Sequence, residues 1–94
     1  MTAQMNNFKK WIRSTDERFL KTVFDEILAE SGFGIRGFIE EHFDPFGYTA
    51  LWLLSESHFA VHTFPECGKT YIELSSCVEA PFKAFKEIIK NYNI

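Results

Sequence analysis

Side chains capable of chemistry crowd into one stretch of the chain: Ser55, Glu56, Ser57, His58, His62, Glu66, Cys67 and Cys77. The bland explanation is the polar face of a half-exposed sheet, and three chemistries compete with it. A metal site would draw on His58 and His62, which read as one face of a strand, together with a cysteine. That spacing matches no common zinc pattern, and HExxH is absent because residue 59 is Phe. A Cys–His hydrolase would need Cys67 or Cys77 beside a histidine base, and nothing local supports it beyond composition. The third constellation is Glu56-Ser57-His58, whose chemistry emerges only by comparison with a known family.

The elements that must carry these residues are legible from pattern. Ser14-Thr15-Asp16-Glu17 has the S-x-x-E form of a capping box. Phe19, Leu20, Val23, Phe24, Ile27 and Leu28 follow at helical spacing, and Gly32 stands where a left-handed C-cap belongs. Gly34 to Phe43 reads as a strand interrupted by Gly37, and Asp44-Pro45-Phe46-Gly47 as a turn. Tyr48 to Leu54 is a nearly continuous apolar run, the pattern of a buried strand. His58 to Thr63 predicts another, with Phe59 and Val61 on one face and His58 and His62 on the other. After the turn Pro65-Glu66-Cys67-Gly68, Thr70 to Ser75 alternates, with Tyr71 and Ile72 on opposite faces. Pro81 fits a first helical position, and Phe82, Phe85, Ile88 and Ile89 form an apolar stripe. Phe8 to Ile12 adds a possible first strand. Strand, helix, three or four strands and helix predict an α+β fold: a two-layer sandwich of a mainly antiparallel sheet with two helices on one face.

Composition bounds the partners. Residues 1–94 are enough for one domain, and 46% hydrophobic with 24% charged is a globular balance. A net charge of -3 argues against a broad basic face for nucleic acid. No apolar run approaches the roughly 20 residues needed to span a bilayer. The first eleven residues lack a secretory apolar stretch. Cys67 and Cys77 are too few for a disulfide scaffold and read as thiols of a reducing, cytoplasmic compartment. Aromatics, 17% of the chain, read first as core.

Leu54-Ser55-Glu56-Ser57-His58, then His62-Thr63-Phe64-Pro65-Glu66, then Cys77, resembles the small prokaryotic S-adenosylmethionine decarboxylases. Those enzymes carry SESH-x-x-x-HTWPE with a Thr-Cys further on. The likeness runs back to Phe43-Asp44-Pro45-Phe46-Gly47, similar to the family's Phe-Leu-Pro-Tyr-Gly turn. It runs forward to Pro81-Phe82-Lys83-Ala84-Phe85, similar to Pro-Trp-Lys-Ala-Phe. His62 lies five positions after Ser57 and Cys77 twenty after it, as in the family.

The resemblance implies a chain that makes its own cofactor. Ser57 would attack the carbonyl of Glu56 to give an ester. His62 would then remove the serine α-proton, so that the chain splits after Glu56 and Ser57 becomes a pyruvoyl group. That ketone would form a Schiff base with the α-amine of S-adenosylmethionine and accept electrons as CO2 leaves. Cys77 matches the proton donor to the resulting carbanion, a task suited to a thiol of pKa about 8.5. Phe43 matches the aromatic that stacks on adenine and Glu66 the carboxylate that binds the ribose. Aromatic faces also favour a sulfonium, by about 0.5–2 kcal/mol. The product would be the aminopropyl donor for spermidine synthesis, and relatives imply a homodimer with sites near the subunit interface.

Departures from the family keep two alternatives open. Thr49 stands where the family usually has a serine that supports processing, and its χ1 is stiffer. Phe64 replaces a tryptophan, and Ser76-Cys77-Val78 replaces Thr-Cys-Gly. The family usually continues beyond the last helix into a further strand, which the sequence ending at Ile94 does not include. One alternative is a pyruvoyl-dependent decarboxylase of a basic amino acid, ornithine or arginine. The other is a non-processing homologue that binds S-adenosylmethionine or regulates an active partner.

Overall fold

The computed structural model describes residues 3–94. Five strands, β1 (Asn6–Ile12), β2 (Ile35–His42), β3 (Tyr48–Leu54), β4 (Ser57–Phe64) and β5 (Lys69–Ser76), form one antiparallel sheet in the order β1-β5-β4-β3-β2. Helices α1 (Glu17–Ser31) and α2 (Glu79–Ile89) cover one face. This is the two-layer α+β sandwich expected from the element order, and the tentative first strand is a full edge strand paired to β5. No helix among the described residues is long and apolar enough to cross a membrane.

Period-2 alternation decides which side chains meet the helices. Ala50, Trp52 and Leu54 of β3, Phe59 and Val61 of β4, and Ile72 and Leu74 of β5 are all buried against Leu20, Phe24, Ile27 and Phe85. Each such burial contributes about 1.5–3 kcal/mol. Trp52 is 1% exposed, and its indole N–H is satisfied by Asp25 Oδ1 at 2.8 Å. The other face stays open. Leu51 and Leu53 point there, the latter 60% exposed. The apolar run 48–54 is therefore apolar on both faces but buried on only one.

Two terminus expectations need correction. The N-cap of α1 is Asp16, whose carboxylate accepts from Phe19 N–H at 2.9 Å, and not Ser14. Ser14 donates its N–H to the Ile94 carbonyl, and Glu17 turns to His42 Nδ1 at 2.9 Å, so no box closes. Helix α2 begins at Glu79 with Val78 as N-cap, placing Pro81 third. Proline is tolerated there because first-turn N–H groups lack helical partners anyway. Gly32 does close α1 in the left-handed region, at φ 97.

Candidate active site

The hairpin between β3 and β4 has only Ser55 and Glu56 as its loop, since Leu54 pairs directly with Ser57. Two-residue hairpins favour turns with positive φ at the first loop residue. Here the first residue has none, and Glu56 adopts φ 53. It is the one non-glycine among the described residues with positive φ. A side chain in that region costs roughly 1–2 kcal/mol. The strain falls on the residue whose carbonyl precedes Ser57.

Strand β5 closes around this turn from the other side. Ser57 and Ser76 are register partners, and their hydroxyls lie 2.7 Å apart on the helix-covered face. Ser57 also reaches the Ser55 carbonyl at 3.1 Å. The Glu56 carbonyl oxygen faces the Cys77 N–H at 3.4 Å and the Cys77 thiol at 3.3 Å. The thiol meets Glu56 Oε2 as well, at 3.2 Å. That hydrogen bond to the Glu56 carboxylate, with some burial and the carboxylate's charge added, pushes the Cys77 thiol above its ordinary pKa. The Ser57 hydroxyl, the Glu56 carbonyl and the Cys77 thiol thus converge on one end of the sheet.

His62 is not among them. In an extended strand five residues span roughly 17 Å, and an odd separation puts the two side chains on opposite faces. His62 lies on the open face, where Nδ1 meets Thr49 Oγ1 at 3.0 Å and the ring stacks near Tyr71 with centroids 6.4 Å apart. Around it is a shallow cleft of about 220 Å³ that Phe43, Thr49, His62 and Glu66 all line, with Phe46 and Phe64. The structure thus divides the expected residues into two groups: Glu56, Ser57 and Cys77 at one end of β4, and Thr49, His62, Phe43 and Glu66 at the other.

The remaining candidates are separate. His58 and His62 share a face, but four residues of strand hold them about 13 Å apart, too far for one ion. No group of three metal-ligating side chains occurs among the described residues. Cys67 is exposed in a short 3₁₀ turn, Pro65–Cys67, beyond β4. Ser76 was not singled out by motif as a functional residue. The signal for it is the β4–β5 register, a pairing that no local spacing reveals.

The fold and the serine hairpin define a class: an antiparallel α+β sandwich with a buried serine hydroxyl next to a tight two-residue turn. The chain belongs to the S-adenosylmethionine decarboxylase family, whose model matches residues 9–93. It is 37% identical over 65 residues to an S-adenosylmethionine decarboxylase proenzyme of Parasynechococcus marenigrum, covering 69% of this chain and 51% of that one. The proenzyme of Archaeoglobus fulgidus is 30% identical over 79 residues, 79% of this chain and 70% of the relative. That of Symbiobacterium thermophilum is 42% identical over 62 residues, 66% and 47%. The chain spans about half the length of several curated relatives it matches. Its fold resembles a crystal structure of the adenosylmethionine decarboxylase from Aquifex aeolicus, with TM-score 0.75, 17% identity, and coverage of 96% of this chain and 81% of that one.

Proposed function

We propose that this chain is a self-processing, pyruvoyl-dependent decarboxylase of S-adenosylmethionine that supplies an aminopropyl donor for spermidine synthesis. The observation that carries the reading is the hairpin itself: the Ser57 hydroxyl adjoins Glu56, a residue at φ 53 whose carbonyl oxygen meets two Cys77 donors. Relatives named as proenzymes support the same chemistry.

The bond from Ser57 Oγ to the Glu56 carbonyl carbon forms and the peptide C–N bond breaks, the hydroxyl proton ending on the freed Ser57 amine. Charge that develops on the carbonyl oxygen is met by the Cys77 N–H and by the single thiol proton, which turns to it from the Glu56 carboxylate. Removal of the Ser57 α-proton expels the ester oxygen with Glu56 as a carboxylate. The remaining enamine tautomerises to an imine, and water replaces its nitrogen, releasing ammonia and leaving a pyruvoyl ketone. The residues present fit that precursor role, since the hydroxyl is buried, hydrogen-bonded and next to a strained carbonyl.

Bound at that position, the ketone supplies the electron sink for loss of CO2. Cys77 holds the proton that the substrate carbon takes back. Phe43 stacks the adenine and Glu66 accepts from the ribose hydroxyls. Their shared cleft supports an adenosyl substrate over a plain basic amino acid. Both thiols are free, which suits action in a reducing cytoplasm.

The active species in this reading is a homodimer joined through the open sheet face. Ile39, Leu51 and Leu53 expose 68%, 44% and 60% of their surface there, an apolar band between the two ends of β4. A two-fold axis through that band sets the His62 end of one chain against the Ser57 end of the other. This removes the separation of roughly 17 Å along β4 and sets the partner chain against the Ser57 main chain and its α-proton, since the Ser57 hydroxyl lies on the helix-covered face. It also gives the shallow cleft a second wall, since sites for ligands of this size usually enclose about 300–1,000 Å³.

Intact-protein mass spectrometry tests the processing step. Fragments 1–56 and 57–94, the second beginning with a pyruvoyl group, are expected. A chain that stays whole after long incubation overturns the reading and leaves the non-processing alternative. Release of labelled CO2 from S-adenosylmethionine, against ornithine and arginine, then decides the substrate.

A further inference from the structure

The end of β5 touches both partners of the acyl shift. Cys77 faces the electrophile, the Glu56 carbonyl. Ser76, the residue before it, faces the nucleophile, Ser57 Oγ, at 2.7 Å. Ser76 is wholly buried at 0% exposure, and its hydroxyl is anchored at the start of α2. It accepts from Val78 N–H at 2.9 Å and donates to the Val78 carbonyl at 3.3 Å.

We propose that Ser76 is a positioning residue for self-cleavage, acting through the Ser57 hydroxyl. A serine hydroxyl has one proton and two lone pairs. With its own proton committed to the Val78 carbonyl, Ser76 presents an acceptor to Ser57. Donation in that direction selects the Ser57 rotamer and leaves the Oγ lone pairs free for the carbonyl carbon. Without Ser76 the Ser57 proton has the Ser55 carbonyl, 3.1 Å away, as its remaining acceptor, and the hydroxyl turns toward it. The anchor at Val78 ties the nucleophile to α2, so the end of one helix sets the geometry of the hairpin opposite. Misplacement of a reacting atom by about 1 Å can cost on the order of 100-fold in rate.

The inference rests on the self-processing reading, and its test separates the two. In a His62→Ala chain the α-proton is not removed, so the ester formed by the first step accumulates and hydroxylamine cleaves it at residue 56. The rate at which hydroxylamine-sensitive chain appears therefore reports the Ser57 attack alone. Adding Ser76→Ala is expected to slow it by about 10- to 100-fold. Ser76→Thr, which keeps the hydroxyl, should return it to within about threefold. Ser76→Cys fills the same space with a poor acceptor and should behave like alanine, covering the case in which Ser76→Ala fails to fold. Ester appearing in Ser76→Ala and Ser76→Cys chains at the rate of His62→Ala alone overturns the role of Ser76 and leaves self-processing intact. A chain that neither cleaves with His62 present nor forms ester without it overturns both.

Discussion

The two ends of β4 belong to one hydrogen-bonded ladder yet are built in opposite ways. At the Ser57 end the hydroxyls of Ser57 and Ser76 are buried and satisfy one another, beneath an exposed turn in which Glu56 takes a left-handed φ. At the Phe64 end the face is open, with Trp11 and Phe64 half exposed around a partly exposed His62. The self-cleavage proposed for this chain would use a dry, fixed setting for the Ser57 hydroxyl. A base and a substrate cleft need access from outside. The fold supplies each environment but holds them roughly a strand's length apart.

The two ends of β4 work either within one chain or between two, and mixing variants distinguishes these. Ser57→Ala and His62→Ala chains are each expected to stay uncut. Mixed and refolded together, they form hybrid dimers in which an intact Ser57 of the second chain meets an intact His62 of the first. Cleavage should then appear in the His62→Ala chain alone, rising from none to a readily measured fraction by mass spectrometry. If mixing restores nothing while the unaltered chain cleaves, the two ends do not cooperate across an interface.

A second test acts on the band between the ends. Leu53 is 60% exposed in the single chain, so Leu53→Glu should change its folding stability by less than about 0.5 kcal/mol. Against a second apolar face the same carboxylate would be buried without a partner, weakening association by at least about 100-fold. Analytical ultracentrifugation should find monomer, and cleavage should fall with it. A dimer of unchanged affinity would place the interface elsewhere.

Why the two ends look like one site in the sequence is a matter of spacing read without geometry. Ser57 and His62 stand five positions apart in a motif, and a strand over 58–63 already implies their distance and opposite faces. The motif joins them as chemistry; the strand separates them as structure. Local pattern was a sound guide where burial is local: the stripe of α1, the left-handed Gly32, and the alternation of Phe59 and Val61. It failed where a long-range partner decides. Asp16 caps α1 in place of Ser14, whose N–H donates to Ile94, eighty residues away in the chain, while Glu17 turns to His42. The role of Ser76 depends on β4–β5 register, and the strain at Glu56 on a hairpin closed in two residues. Neither leaves a local signature.

The Cys77 thiol offers a smaller, directional test of the dry end. The Glu56 carboxylate accepts from the thiol and opposes its ionisation, so the thiolate appears at higher pH than for an ordinary cysteine. In an uncut Ser57→Ala, Cys67→Ser chain, alkylation of Cys77 should rise with pH along a thiolate titration. Glu56→Gln removes the negative charge, so the midpoint should move down toward the usual thiol range. A midpoint that stays in place would mean that the carboxylate does not govern the thiol.

The smallest expected effect concerns the strain itself. Glu56 at φ 53 forgoes roughly 1–2 kcal/mol relative to a residue without a Cβ. In a Ser57→Ala chain, which cannot cleave, Glu56→Gly should raise stability by about 1 kcal/mol, since the lost thiol contact offsets part of the relief. Urea unfolding should report this as a higher midpoint at constant slope. In a chain that retains Ser57, the same relief lowers the starting state and leaves the transition state alone where attack by Ser57 Oγ turns residue 56 out of the left-handed region. Cleavage should therefore slow by about fivefold, the rate equivalent of 1 kcal/mol. Glycine that destabilises the uncut chain, or leaves its cleavage rate unchanged, would show that the turn stores no energy for the reaction and that the nucleophile's hydrogen bonds, not the backbone, distinguish the two ends of β4.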